Sequence, residues 1–162
     1  MKKLITLISS ILIIVSVSGC GGYKPIFAIE NINFQISNSL IKEDKKLGKE
    51  IYNKLFSLSK KDSSIPGTKL IDLTIEVTER EEATIKDSSG KIKEYKVYLN
   101  TIIVIKDYLT GNPLLNENIT SSSNYKIQNT RSETLSLKNK TIDTLSNNNF
   151  EKLLVLFTKI FE

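Results

Sequence analysis

Ile71-Asp72-Leu73-Thr74-Ile75-Glu76-Val77-Thr78 carries apolar side chains at every odd position and polar ones at every even position. Side chains of a strand alternate between its two faces, so this octet reads as a strand buried on one side and solvated on the other. Asp87-Ser88-Ser89-Gly90 follows with the chemistry of a hairpin turn. The next strand is expected over residues 95–105, with Tyr95, Val97, Leu99, Ile103 and Ile105 on one face. Ile102 and Val104 add a second apolar face at its far end, so this part is expected to be covered on both sides or to lie against a partner. Thr110-Gly111-Asn112-Pro113 makes another turn, and a polar strand is expected over residues 114–125, with Ser121-Ser122-Ser123 marking an edge or an exposed face.

Before the octet, Ile32-Asn33-Phe34-Gln35-Ile36 alternates in the same way, and Leu47, Ile51, Leu55 and Leu58 recur at helical spacing. These predict a strand over 32–36 and an amphipathic helix over 41–60, its lysines on the solvated side. After the last strand, Thr130-Arg131-Ser132-Glu133 matches a capping box. Leu135, Ile142, Leu145, Leu153, Leu156 and Ile160 then trace a helical stripe, interrupted by Asn147-Asn148-Asn149. A helix of that length runs about 45 Å, so it either spans the full width of the sheet or breaks at the asparagines. The expected architecture is α+β: two helices packed on one face of a four-stranded, mainly antiparallel sheet, in the order β-α-β-β-β-α.

Composition removes whole classes of chemistry. The 162 residues contain no histidine, no tryptophan and one cysteine, and the formal net charge is +5. Without histidine there is no Ser-His-Asp or Cys-His nucleophile system, and zinc, haem and iron–sulfur sites lack their usual ligands. A single cysteine forms no internal disulfide. The expectation is a protein that is not an enzyme and holds no metal or cofactor. Glu79-Arg80-Glu81-Glu82 is the densest charge cluster. Its reading as a solvated strand end outweighs a paired-carboxylate site, which needs two carboxyls flanking a substrate.

The N-terminus supplies an address. Met1-Lys2-Lys3 opens a cationic start, residues 4–17 are largely aliphatic, and Val17-Ser18-Gly19-Cys20 resembles the bacterial lipobox. Residues 1–19 are expected to be a lipoprotein signal peptide, with Cys20 the lipidated residue and 20–28 a short tether. An ordinary signal peptide with a chance cysteine is the other reading. Several acyl chains hold a protein firmly where one does not. Gly21 follows the cysteine where some lineages place the Asp that retains lipoproteins at the inner membrane. The expected location is therefore the periplasmic side of the outer membrane. Removing residues 1–19 takes Lys2 and Lys3 with it, so the mature chain is only mildly basic, and no nucleic-acid partner is expected.

The element order, the lipobox, the short tether and the opening Cys20-Gly21-Gly22-Tyr23-Lys24-Pro25-Ile26-Phe27 together resemble the lipopolysaccharide-assembly lipoprotein family, LptE, as do Ser123-Asn124-Tyr125, Glu133 and the apolar last helix. The resemblance covers essentially all of the mature chain, with residues 29–162 a single LptE-like domain. It implies a plug that stands inside the LptD β-barrel of the Gram-negative outer membrane in a one-to-one complex, helps it assemble and assists lipopolysaccharide delivery to the outer leaflet. Lys86, Lys91 and Lys93 flank the expected hairpin turn, and Arg80 ends the preceding run. These are the candidate contacts to lipopolysaccharide phosphates, with Lys91 and Lys93 expected on one strand face; a solvated hairpin kept soluble by charge is the other reading. Two alternatives stay open: an auxiliary lipoprotein of a lipid ABC transporter, and a lipid-anchored hydrolase working through carboxylates.

Overall fold

The computed structural model describes residues 33–59 and 67–161. The expected signal peptide, Cys20 and the expected tether lie outside them. The elements are β1 (Phe34–Glu43), α1 (Lys45–Leu58), β2 (Lys69–Lys86), β3 (Ile92–Asp107), β4 (Pro113–Lys126) and α2 (Arg131–Phe161). They form a four-stranded sheet in the order β1-β2-β3-β4, with two helices against one face. This is the expected α+β architecture. β1 pairs parallel to β2 through the α1 crossover, while β2-β3 and β3-β4 are antiparallel.

Alternation places the core. Ile71, Leu73, Ile75 and Val77 of β2 and Val97, Leu99, Ile103 and Ile105 of β3 are essentially inaccessible. They meet Leu47, Ile51 and Leu55 of α1 and Ile142, Leu145, Leu153 and Phe157 of α2. Phe34, Phe157 and Phe161 close one end, with ring centroids 5.3–5.5 Å apart. Buried aliphatic and aromatic side chains of this size each contribute about 1.5–3 kcal/mol.

The junction of β1 and α1 differs from expectation. β1 runs on through Glu43, although the helical pattern places a helix start at 41. Ile41 pairs with Ile75, and the strand absorbs polar Ser37-Asn38-Ser39 through an irregularity between Ile36 and Asn38. The chain turns at Glu43, whose φ is 60°, and Asp44 caps α1, its carboxylate accepting from the N–H groups of Lys46 and Leu47 at 3.0 Å. Strand pairing outweighs a helical pattern that holds no start signal before Asp44. α2 is unbroken through the three asparagines, because Asn149 itself belongs to the buried stripe with Ile142, Leu145, Leu153 and Phe157. Leu135, placed on that stripe by its spacing, is 55% exposed. The capping box forms as expected: Glu133 N–H donates to Thr130 Oγ1 and Thr130 N–H to Glu133 Oε2, both at 3.2 Å.

Candidate functional site

The side of the sheet away from the helices is built from the even-numbered residues of β2, β3 and β4. Ile102 and Val104 stand there half-buried, beside Asn118 and Asn116 of β4. Among the described residues they have no covering helix, so the second apolar face is open. Leu40 of β1, paired with Thr74, is 53% exposed. Farther along, Arg80 and Tyr98 are cross-strand partners, and the Arg80 guanidinium lies 4.4 Å from the Tyr98 ring centre. The Lys96 ammonium lies 5.0 Å from the same ring. At exposed sites each such contact is worth about 0.5–1 kcal/mol. Arg80 also pairs with Glu82, and Ser122 is the neighbour of Tyr98 on β4. The face thus offers two cations around one ring, bordered by amides and hydroxyls.

The β2–β3 turn is held by one carboxylate. Asp87 Oδ1 accepts from the N–H groups of Ser89 and Lys91 at 3.0 Å and from Ser89 Oγ at 2.6 Å, and Gly90 supplies a φ of 81°. The Ser89 hydroxyl bond, with help from Lys93, draws the Asp87 carboxyl down to about 2. Lys93 Nζ lies 3.2 Å from Asp87 Oδ2, so its charge is partly spent inside the turn. Among the described residues no carboxylate pairs with Lys86 or Lys91. Lys91 stands one residue before β3, its carbonyl accepting from Asp87 N–H at 2.9 Å, and Lys93 lies within the strand. Arg80 is separated from Lys86 by about 20 Å of strand and belongs to the Tyr98 cluster. The structure therefore keeps Lys86, Lys91 and Lys93 at one hairpin tip and sets Arg80 apart.

Glu79 and Glu81 are not a solvated strand end. β2 continues to Lys86, and Glu79 and Glu81 are half-buried beneath α2. Lys138 Nζ lies 2.9 Å from Glu79 Oε1 and 2.6 Å from Glu81 Oε2, and Tyr125 Oη donates to Glu81 Oε1 at 2.6 Å. Burial pushes the Glu81 carboxyl up, but the bonds from Lys138 and Tyr125 outweigh it and leave it lowered. Burial and the Glu81 bond raise the Tyr125 hydroxyl. Lys138 is raised as well, its two carboxylates outweighing desolvation. Lys138 is invisible as a partner in the sequence because its mates lie nearly sixty positions earlier in the chain.

A shallow groove between α1 and α2 is lined by Asp44, Glu79 and Asp143 with Lys46 and Asn139. Asp44 is spent on the helix cap and Glu79 on Lys138. This leaves Asp143 as its one carboxylate without such a commitment, which is not the acid pair a carboxylate hydrolase needs. Among the described residues no group of three or more His, Cys, Asp or Glu is placed to hold a metal, and no helix is long and apolar enough to cross a membrane.

No family model matches the chain, and no curated protein matches it. Its fold is similar to those of solved lipoproteins. An uncharacterized lipoprotein B from Nitrosomonas europaea superposes with a TM-score of 0.58 at 9% identity, covering 82% of this chain and 88% of that one. The rare lipoprotein B from Shewanella oneidensis gives 0.51 at 11% identity, covering 78% and 92%. A Caulobacter crescentus CB15 chain described as a lipoprotein gives 0.54 at 13%, covering 76% and 88%. At these identities the likeness is one of fold: two helices on a mixed four-stranded sheet, spanning nearly all of each of those chains.

Proposed function

We propose that the chain is a lipoprotein of the outer membrane, anchored on its periplasmic side through acyl groups on Cys20, that plugs and helps assemble an LptD-type β-barrel and assists lipopolysaccharide delivery. The observation that carries this reading is the bare face of the sheet. A solvated face gains nothing from half-buried Ile102 and Val104, whereas a partner wall covers them and meets the Arg80–Tyr98–Lys96 cluster and the amides of β4. A barrel lumen is polar and lined by side chains, which suits such a mixed surface. The lipobox at 17–20 and the fold shared with rare lipoprotein B support the same assignment. The work described is binding and scaffolding, with no catalytic step and no cofactor. The hairpin lysines Lys86, Lys91 and Lys93 extend the reading to the phosphates of the glycolipid, as charged donors to anionic oxygens.

Photocrosslinkers at Tyr98, Asn116 and Ser122, all on the bare face, are expected to capture LptD. Capture of inner-membrane permease components in its place overturns the reading in favour of the transporter lipoprotein. Cys20→Ser is expected to abolish metabolic palmitate labelling, and labelling that persists in this variant refutes the anchor.

A further inference from the structure

The starts of β1 and β2, the end of β3, the start of β4 and the end of α2 all lie at one pole of the domain. Phe34 pairs with Lys69, Ile71 with Asp107 and Lys106 with Pro113, while Lys69 Nζ reaches the Ile160 carbonyl at 3.3 Å. α1 runs back against β1, so its last turn approaches the same pole. The chain from Cys20 enters here. The opposite pole holds the β2–β3 hairpin tip.

The pole where the chain enters carries apolar side chains that the fold does not use. In the β3–β4 turn, Leu109 is 78% exposed and Tyr108 46% exposed; Phe56, in the last turn of α1, is 49% exposed. The turn that presents the first two is firmly built. Asp107 Oδ1 accepts from Leu109 N–H at 3.0 Å, Thr110 N–H at 2.8 Å and Thr110 Oγ1 at 2.9 Å. Tyr108 N–H is tied to the Leu70 carbonyl at 2.9 Å, and Gly111 provides a φ of 70°. A polar residue would serve such a turn as well as leucine does. Around it stand Lys69, Lys106 and Lys159, all exposed, while the one acid in the turn, Asp107, is occupied by the turn's own donors.

We infer that this pole is a bilayer-contacting surface: Leu109 and Tyr108 dip into the acyl boundary of the membrane that holds the anchor, and Lys69, Lys106 and Lys159 meet anionic headgroups. An exposed aliphatic and an aromatic ring ringed by lysines is the composition that settles at a lipid interface. About thirteen residues separate Cys20 from Asn33, so the pole stays within about 45 Å of its anchor. Lysines near an anionic surface each add attraction, which sets the orientation of the domain on its tether. The inference rests on the acyl anchor proposed above and concerns the acylated protein alone on a bilayer, before any barrel receives it.

The chain has no tryptophan, so a single introduced indole reports alone. Acylated Leu109→Trp and acylated Ser88→Trp, the latter at the opposite pole, are reconstituted on vesicles of phosphatidylethanolamine and phosphatidylglycerol. The indole of the Leu109→Trp protein is expected to shift its emission to shorter wavelength and to be quenched by brominated acyl chains at a depth of about 5–10 Å. The indole of the Ser88→Trp protein is expected to report water in the same vesicles. Replacing phosphatidylglycerol by phosphatidylcholine is expected to weaken the response of the Leu109→Trp protein. Co-flotation reads the anchor separately: Leu109→Trp protein that floats while its indole still reports water overturns the inference and leaves the anchor standing. Protein that fails to float refutes the anchor and the inference together. A shift in the Leu109→Trp protein that brominated lipid does not quench and that needs added barrel protein assigns the pole to a protein partner and overturns the inference.

Discussion

Asn149 of α2 donates through Nδ2 to the hydroxyl of Thr101 on β3 at 3.0 Å, and both side chains are about 1% exposed. The same nitrogen lies 3.2 Å from the carbonyl oxygens of Leu99 and Ile119, so one amide spans the β3–β4 pair from the helix above. A polar contact at this depth fixes how far α2 can slide along the sheet, since apolar neighbours alone tolerate several registers. Asn149→Ala leaves the Thr101 hydroxyl unpaired in the core and is expected to cost about 1–3 kcal/mol in urea unfolding. Asn149→Leu combined with Thr101→Val removes both polar partners at once and is expected to recover most of that loss. Strictly additive effects in the double-mutant cycle would refute the coupling.

The Lys138 clamp joins α2 to the far half of β2, and its pH limits follow from the shifts. Glu81 is lowered from 4.5, so its contribution is whole above that value and is lost as pH falls through its folded pKa. Tyr125 and Lys138 are raised from 10.0 and 10.5, so theirs are whole below those values and are lost as pH rises past them. The clamp therefore holds fully from about pH 5 to 10. Lys138→Met leaves Glu79 and Glu81 facing one another and is expected to cost about 1–2 kcal/mol at neutral pH, between an exposed ion pair and a buried charged hydrogen bond. Its acid limb of stability is expected to flatten relative to the wild type. Identical pH–stability curves for the two proteins would remove the clamp from the stability account.

What is legible in the sequence is local periodicity. The alternation at 71–78, the Asp87–Gly90 turn and the Thr130–Glu133 box each form as read, because each is decided by residues a few positions apart. The departures share one cause. Whether residues 41–43 become strand or helix is decided by Ile75, more than thirty positions away. Whether the helix runs through Asn149 stays open in the sequence until the Leu99 and Ile119 carbonyls give its amide somewhere to go. Glu79 and Glu81 read as solvated until Lys138 arrives from α2. At the candidate site, the Tyr98 cluster requires the β2–β3 register, which composition does not encode.

Gly48 of α1 is a constraint set by packing against the preceding strand. A Cβ at this position would meet Ile41 Cγ2 at 2.5 Å. Alanine favours an isolated helix over glycine by about 1 kcal/mol. The methyl of a β-branched neighbour cannot swing clear, so overpacking of about 1–3 kcal/mol is expected to prevail. Gly48→Ala should lower the urea midpoint, and Gly48→Ala with Ile41→Ala should restore part of it. A Gly48→Ala protein more stable than wild type would show that α1 shifts away from β1 at little cost.

The hairpin tip offers the sharpest test of the glycolipid role, because its three lysines are not equivalent. Lys93 is held by Asp87 at 3.2 Å, whereas Lys86 and Lys91 have no carboxylate partner among the described residues. A phosphate must compete with Asp87 for Lys93 but not for Lys91. Replacing Lys91 and Lys93 together is expected to weaken lipopolysaccharide binding about tenfold, as loss of charged contacts worth about 1.5 kcal/mol or more implies. Lys91→Ala alone should account for most of that loss, and the difference between variants should shrink at high salt. Arg80→Ala, which touches Tyr98 and Glu82 about 20 Å of strand away, should leave this affinity unchanged while reducing capture of the barrel by the Tyr98-side crosslinkers. Binding measured on acylated protein at two ionic strengths separates the cases. Equal affinity and equal salt dependence in wild type and Lys91→Ala/Lys93→Ala would withdraw the phosphate role from the tip, with the bare sheet face still assigned to the barrel.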